Sequence, residues 1–410
     1  MREPDENIGG DKERKGIGKK GQLCCQTSEI EYRKKVLIVD DDEINVEILK
    51  ELLEEEYALA IASNGQQCLE IIGQFKPDLV LLDIVMPGMD GYETCRRIKS
   101  DPQSEATHII LVSSKTSIES RLKGYDAGTD DYIMRPFDSD ELLAKIQVQI
   151  RLREAITNLA SLHAQLSEEL RLAGIVQRDF LPEKLPNCER LRWATFILPA
   201  GSVSGDIYDV KHIDEQHVSF YVADAVGHGM PAALLSIFIK QAIAMYEDTQ
   251  NSSCVLTPAE LMKNVNLRIS AQKLSGFLFI TCCYCLININ TLQLTYCRAG
   301  HPYPILIRQK EQPQHLEIEG SLLGIVEEAE YSQRTIQLQS GDKLLLYSDG
   351  AIPFISNSND IAPFDFKKEF LDIIDHSIVE IVDTLRVHAE NKEMDPSEID
   401  DITVVGLEVL

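Results

Sequence analysis

The sequence predicts an α/β domain with a doubly wound, five-stranded parallel sheet, then a helical linker, then an α+β domain of mixed or antiparallel sheets with helices outside. Three observations carry this. Between Lys34 and Ile150 short apolar strands alternate with amphipathic helices, the pattern of a parallel sheet covered on both faces. Residues 138–180 hold a helical period without a break. From Leu181 to Leu410 strands dominate again, now with hairpin-length connections. A length of 410 residues fits two or three domains.

Residues 1–33 are rich in Gly, Lys, Glu and Asp, lack an apolar period and are expected to form a disordered tail. Cys24 and Cys25 in it fit spectator thiols better than a redox or lipid site. The first domain is expected over 34–150. Its strands are Val36–Val39, Tyr57–Ala62, Leu79–Leu82, Ile109–Val112 and Tyr132–Met134, with helices such as Ile44–Leu53 and Gly91–Lys99 between them. The linker is placed at 151–180. Along it Leu152, Ala155, Leu159, Leu162, Leu166, Ala173 and Val176 fall on alternating spacings of three and four, interrupted at Glu169. About three and a half heptads predict a parallel coiled coil and a homodimer. The alternative is an amphipathic helix packed on its own domain.

The last domain is expected over 181–410. Its strands are His217–Ala223, Phe277–Ile289, Leu292–Arg298, Pro304–Arg308, Lys343–Tyr347 and Ile402–Val409, with a hairpin turn at Asn288–Thr291. Helices are expected at Pro231–Tyr246, Pro258–Lys273 and Ser377–His388, the first two opening on prolines, as helix starts allow.

Composition excludes some functions. Forty Lys and Arg stand against 66 Asp and Glu, a net charge of −26. So acidic a surface repels phosphate backbones and anionic lipid, so no nucleic-acid partner is expected. It suits a protein that gathers carboxylates around divalent cations. No apolar run reaches the length of a membrane span and the N-terminus has no apolar segment, so neither membrane insertion nor a secretory signal is expected. Ten cysteines without small-scaffold spacing read as reduced thiols and predict a cytoplasmic location.

Asp40 and Asp41 directly follow the first strand, and Asp83 directly follows the third. In a parallel sheet both strand ends lie on one edge, so three carboxylates converge and need a cation; Mg²⁺ fits such oxygen ligands. Ser113 ends the next strand, and its hydroxyl can bond a transferred phosphoryl oxygen. Arg135 ends the last strand and supplies a positive charge. The set Asp40-Asp41, Asp83 within L-L-D-I-V-M-P-G-M-D-G, Ser113 and D-Y-I-M-R-P-F resembles the response-regulator receiver domain, over roughly residues 34–150. That resemblance implies a flavodoxin-like fold and phosphorylation of Asp83 by a histidine kinase or phosphotransfer protein. It implies Mg²⁺ held by Asp41 directly, by Asp40 through water, by Asp83 and by the Val85 carbonyl. Tyr132 would change rotamer together with Ser113. The family has Lys where this chain has Arg135; a compact point charge is replaced by a planar fork.

A second group of aspartates lies in S-G-D-I-Y-D (Asp206), V-A-D-A-V-G-H-G (Asp224), Y-S-D-G (Asp349) and I-D-D-I-T (Asp400 and Asp401). One aspartate at a strand end is ordinarily a solvated turn residue. Four motifs with the same grammar in one domain point to metal ligation. All-oxygen ligands suit Mg²⁺ or Mn²⁺, and two such ions ~3.5–4 Å apart can clamp a water and a phosphoryl oxygen. With I-V-Q-R-D-F-L-P and C-R-A-G-H-P, these motifs resemble the metal-dependent, protein phosphatase 2C-like superfamily over about residues 172–410. The branch they are most similar to is typified by the stage II sporulation protein E phosphatase. The resemblance implies a β-sandwich flanked by helices and two Mn²⁺ or Mg²⁺ ions. Asp206 and Asp224 would hold the first ion, with Asp224 bridging and the Ala225 carbonyl assisting. Asp349 and Asp400 would complete the second, Asp400 being preferred over Asp401. The implied substrate is a phosphoserine or phosphothreonine protein, in this branch often an anti-sigma-factor antagonist. This chain departs at Ser204-Gly205, where two glycines are usual, and at Ala351-Ile352-Pro353, where an acidic residue often follows the motif.

His228 and His301 are read as structural loop histidines rather than ligands. Cys282 and Cys285 lie three apart in a strand and therefore on opposite faces, which argues against a shared metal. Trp193 is read as core. The expected protein is a two-component response regulator whose output is a serine/threonine phosphatase. The rivals are a non-catalytic, phosphorylation-gated adaptor and a two-metal cyclase or nuclease.

Overall fold

The computed structural model describes residues 33–114, 117–248, 255–273, 279–357, 365–391 and 400–410. Cys24, Cys25 and the tail they were assigned to lie outside the described residues. The chain divides into two compact units, Met1–His163 and Ala164–Leu410.

In the first unit β1 (Lys35–Val39), α1 (Glu43–Leu53), β2 (Ala58–Ala62), α2 (Gly65–Phe75), β3 (Leu79–Asp83), α3 (Gly91–Ser100), β4 (His108–Ser113), α4 (Ile118–Asp126) and β5 (Asp131–Met134) alternate along the chain. The strands form one parallel sheet in the order β2-β1-β3-β4-β5. β3 and β4 are buried along their whole length, which requires helices on both faces. Leu37, Leu82 and Leu111 face one core and Ile38, Leu81 and Val112 the other. Side chains at the helix starts set the entry points: Asp42, Asn64, Asp90 and Ser117 each accept a hydrogen bond from a first-turn N–H. Strand order reverses between β1 and β3, so a crevice forms beyond their carboxyl ends.

Helix α5 (Ser139–Asp179) begins in this unit and ends in the second. Leu142, Ile146 and Ile150 are buried in the first unit's core. Beyond them the seam residues Leu152, Leu159, Leu162 and Leu166 are exposed, as is Ile156.

The second unit continues with β6 (Leu191–Leu198), β7 (Asp206–His212), β8 (His217–Ala225), α6 (Met230–Asp248), α7 (Pro258–Ala271), β9 (Ile280–Asn288), β10 (Gln293–Ala299), β11 (Ile305–Ile307), β12 (Gln314–His315), β13 (Gln333–Gln337) and β14 (Lys343–Tyr347). Short helices α8 (Ile352–Ile355) and α9 (Lys368–Leu371), then α10 (Ile378–Asn391) and β15 (Ile402–Val409), complete it. Two five-stranded antiparallel sheets result, β13-β10-β9-β8-β7 and β12-β11-β14-β15-β6. Their inner faces meet in a core containing Trp193, Phe220, Cys283, Cys285, Leu346 and Val405. Trp193 packs edge-on against Phe220 with ring centroids 5.0 Å apart. Helices α6 and α7 cover the outer face of the first sheet, and α8 and α10 that of the second. Cys282 joins the outer core while Cys283 and Cys285 face inward, so the C-x-x-C pair is split between faces. Two strands beyond those expected matter for function: β6, and β7, which opens on Asp206. Both are half-buried strands without a continuous apolar run, the pattern least distinct from loop.

Candidate functional site

Two carboxylate clusters stand at strand ends, one in each unit.

In the first unit Asp40 follows β1, Asp83 is the last residue of β3, and Arg135 follows β5. Asp40 and Asp83 are buried, while Asp41 is exposed. Asp83 Oδ2 accepts the Val85 N–H at 2.7 Å. Asp40 Oδ1 accepts the Asp42 N–H at 2.9 Å and the Asn45 amide at 3.2 Å. The remaining oxygens meet Arg135: its guanidinium donates to Asp83 Oδ1 at 3.1 Å and to Asp40 Oδ2. Burial pushes the Asp83 carboxyl up to about 6; the Val85 N–H and Arg135 pull it down, while Asp40 and Asp41 push it further up. Ser113 and Tyr132 are buried on β4 and β5, and Val85 is exposed.

In the second unit backbone register forms the cluster. Asp206 and Asp224 are direct cross-strand partners on β7 and β8. Asp349 follows β14, and Asp400 and Asp401 precede β15, its ladder partner. Asp206 is buried, with no hydrogen-bond partner on either carboxylate oxygen. Its carboxyl is raised well above the usual carboxylate range, by burial first and then by Asp224; the hydroxyls of Ser348 and Thr403, outside hydrogen-bond geometry, offset only part of this. Burial raises Asp224 to about 7, reinforced by Asp349, Asp400 and Asp401. Asp349 is raised too, by desolvation and then by Asp400. Among the described residues, none of Asp206, Asp224, Asp349 and Asp400 has an ion-pair partner. Among those residues, no three His, Cys, Asp or Glu side chains are gathered closely enough to hold an ion as they stand. Carboxyls raised by burial and then by one another, with an orphaned buried carboxylate among them, fit a divalent cation bound through oxygen.

The two terminal aspartates differ. Asp400 is exposed. Asp401 is buried, and its two oxygens accept the N–H groups of Ala200 at 2.7 Å and Gly205 at 2.6 Å. It ties the segment before Asp206 to β15. Close packing does the rest: a Cβ on Gly205 would stand 2.9 Å from the Ala225 carbonyl oxygen.

Gln177, within a motif quoted above, is a functional candidate that the sequence alone did not single out. Its side chain is buried at the end of α5. Oε1 accepts the Ser204 N–H at 2.9 Å, and Nε2 donates to the Ser204 carbonyl at 2.6 Å and to Ser236 Oγ at 2.9 Å. Ser204 Oγ accepts the Asp206 N–H at 3.0 Å. One turn earlier, a Cβ on Gly174 would lie 1.9 Å from the Ser202 carbonyl oxygen. A cavity of about 320 Å³ beside these residues is also lined by Asp206.

His301 is fully buried; its Nδ1 pairs with Thr281 Oγ1 at 2.8 Å, and Thr281 lies across from Asp224. Burial, then Arg298, lowers its pKa to about 3, so it is neutral. His228 is exposed and, among the described residues, has no hydrogen bond.

Residues 36–147 match the response regulator receiver domain family, and residues 214–410 match the stage II sporulation protein E (SpoIIE) family. The chain joins a receiver domain to a SpoIIE-type domain. The second domain is similar to phosphoserine phosphatase RsbU of Bacillus subtilis, 33% identical over 193 residues, or 47% of this chain and 56% of that protein. The receiver is similar to the DNA-binding response regulator MtrA of Mycolicibacterium smegmatis, 36% identical over 123 residues, or 30% of this chain and 53% of that one. The chain thus spans about half the length of these curated relatives. The SiaA-PP2C domain of Pseudomonas aeruginosa shares the fold of the second unit: TM-score 0.50 and 20% identity, over 61% of this chain and 100% of that domain. No described helix is long and apolar enough to cross a membrane.

The raised carboxyls fix the sign of a pH effect. Asp224 binds its proton more tightly when folded, about 7 against about 3.8 unfolded, so its contribution to stability falls as pH rises between those values. Neutral His301 acts oppositely between about 3 and 6.5 and is common to any Asp224 variant. In EDTA, Asp224→Asn should therefore melt above wild type at pH 7.5, by at least ~3 °C, the shift that about 1 kcal/mol makes in a domain of this size. The difference should shrink toward pH 4, and saturating Mn²⁺ at pH 7.5 should reverse the order. Calorimetry over that pH range checks it.

Proposed function

We propose that the protein is a metal-dependent phosphoserine/phosphothreonine protein phosphatase controlled by its receiver domain. The observation that carries this reading is Asp206: a buried carboxylate without a hydrogen-bond partner, register-paired with Asp224. Asp206, Asp224, Asp349, Asp400 and the Ala225 carbonyl would hold two Mn²⁺ or Mg²⁺ ions. Bound there, the ions would supply an activated water and a Lewis-acid clamp on the phosphoryl group. The chain's own part is to fix the ligands. The β7–β8 ladder sets the spacing of Asp206 and Asp224, and Asp401 anchors the segment before Asp206 without being a ligand itself. With RsbU as a relative, a phosphoserine protein such as an anti-sigma-factor antagonist is the substrate we favour. Metal-dependent hydrolysis of p-nitrophenyl phosphate by the full chain should fall by more than about 100-fold in Asp224→Asn and vanish in EDTA. Binding of a phosphoprotein without any turnover, in either receiver state, would favour the adaptor reading instead.

On this reading a histidine kinase or phosphotransfer protein phosphorylates Asp83 with Mg²⁺, and Ser113 and Tyr132 respond. The last turn of α5 carries the signal, because Gln177 grips Ser204 two residues before Asp206. Gln177→Ala strands the Ser204 backbone groups, so Mn²⁺ affinity should fall ~10–100-fold, as loss of an orienting partner does, while the fold survives. Calorimetric Mn²⁺ titration reads this directly; an unchanged affinity would remove Gln177 from the pathway.

The exposed leucine seam of α5 supports a parallel coiled-coil homodimer. Multi-angle light scattering at micromolar protein should return twice the chain mass of 46.1 kDa, and Leu159→Asp with Leu162→Asp should return one.

A further inference from the structure

In the receiver pocket the four oxygens of Asp40 and Asp83 are all engaged. One oxygen of each carboxylate accepts local donors, Val85 for Asp83 and Asp42 with Asn45 for Asp40. The other oxygen of each accepts a different nitrogen of the same Arg135 guanidinium. The two carboxylates are buried, and the Arg135 side chain is 19% exposed. A divalent ion entering between Asp40 and Asp83 would need the oxygens that the fork covers. A lysine ammonium is a compact charge that cannot reproduce a planar two-pronged bridge. Beside the fork lies a cavity of about 470 Å³ lined by Asn45, Ile48, Ser114, Arg135, Pro136 and Phe137, which gives a displaced guanidinium somewhere to go.

We propose that Arg135 is the resident counter-cation of the phosphoacceptor pocket, so that Mg²⁺ binds there only by displacing its fork from Asp40 and Asp83. The proposal rests on the reading of Asp83 as a phosphorylation site. It makes Arg135 a positioning residue: it sets the Mg²⁺ concentration at which the pocket becomes competent, and gives up its bridge when the ion arrives. Asp41, exposed and outside the bridge, is the carboxylate left free to meet the ion first.

The test uses the full chain carrying Asp206→Asn and Asp224→Asn, so that Mg²⁺ heats report the receiver. Isothermal titration is compared for Arg135 intact, Arg135→Lys and Arg135→Ala, with thermal melting to confirm that each variant is folded. Losing one of two charge-assisted hydrogen bonds should tighten Mg²⁺ binding roughly tenfold in Arg135→Lys, and further in Arg135→Ala. Equal affinity in all three, or weaker binding in the variants, overturns the proposal. Intact mass after acetyl phosphate treatment, with Asp83→Asn as control, separately tests the phosphorylation reading. If no form gains a phosphoryl group that reading fails, while the Mg²⁺ affinities still decide what Arg135 does.

Discussion

Negative charge withheld from water is the constraint around which both units are arranged. Desolvating a single ion costs several kcal/mol, and like charges nearby add to that. In the second unit the backbone itself imposes the problem. Asp206 and Asp224 are cross-strand partners in an antiparallel ladder, so they cannot move apart without breaking it. The molecule tolerates them by holding their protons more tightly, which is why both carboxyls are raised. A divalent cation would relieve the same strain more completely. On this view, instability of the cation-free cluster and affinity for a cation would be one property seen from two sides.

The first unit meets a similar problem with its own means. Asp40 and Asp83 also converge at strand ends, but there a guanidinium lies across them. Asp83 is still raised, to about 6, because burial outweighs what the Val85 N–H and Arg135 give back. The comparison separates two kinds of carboxylate cluster. One carries an internal cation whose geometry decides who may replace it. The other, among the described residues, carries none. Anchoring differs too: apart from Arg135, the pocket of Asp83 uses donors within five residues in sequence, whereas Asp401 reaches back about two hundred residues to Ala200 and Gly205.

That difference in range explains what could be read from the sequence. β1, β3 and β4 are continuous apolar runs, and fully buried strands of this kind announce themselves. Aspartates just beyond such runs were therefore visible as a group. The half-buried β6 and β7 gave no such run, and β7 carries Asp206 at its first residue. The pair Asp400-Asp401 could be ordered only by resemblance; the structure shows Asp401 spending its oxygens on the N–H groups of Ala200 and Gly205, while exposed Asp400 accepts the neighbouring Asp401 N–H at 2.8 Å. Gln177 was invisible for the same reason. A glutamine on a long amphipathic helix means nothing until Ser204 and Ser236 are brought to it by the fold.

The stiffness of the contact at the end of α5 decides what kind of movement could reach Asp206. Gly174 admits no further atom against Ser202, so the helix cannot approach the segment any closer. Three hydrogen bonds from Gln177 resist its withdrawal, since breaking them would leave buried Ser204 groups unpaired. Motion along or about the helix axis is the remaining freedom, and it must carry Ser204 with it. Ser204 Oγ in turn holds the Asp206 N–H, so the displacement arrives at a buried carboxylate whose two oxygens have no hydrogen-bond partner. A side chain fixed by nothing except its backbone is one whose position a backbone shift controls. The contact is a physical link between two neighbouring elements, and two stable settings of α5 are what would make it a coupled switch rather than mere adjacency.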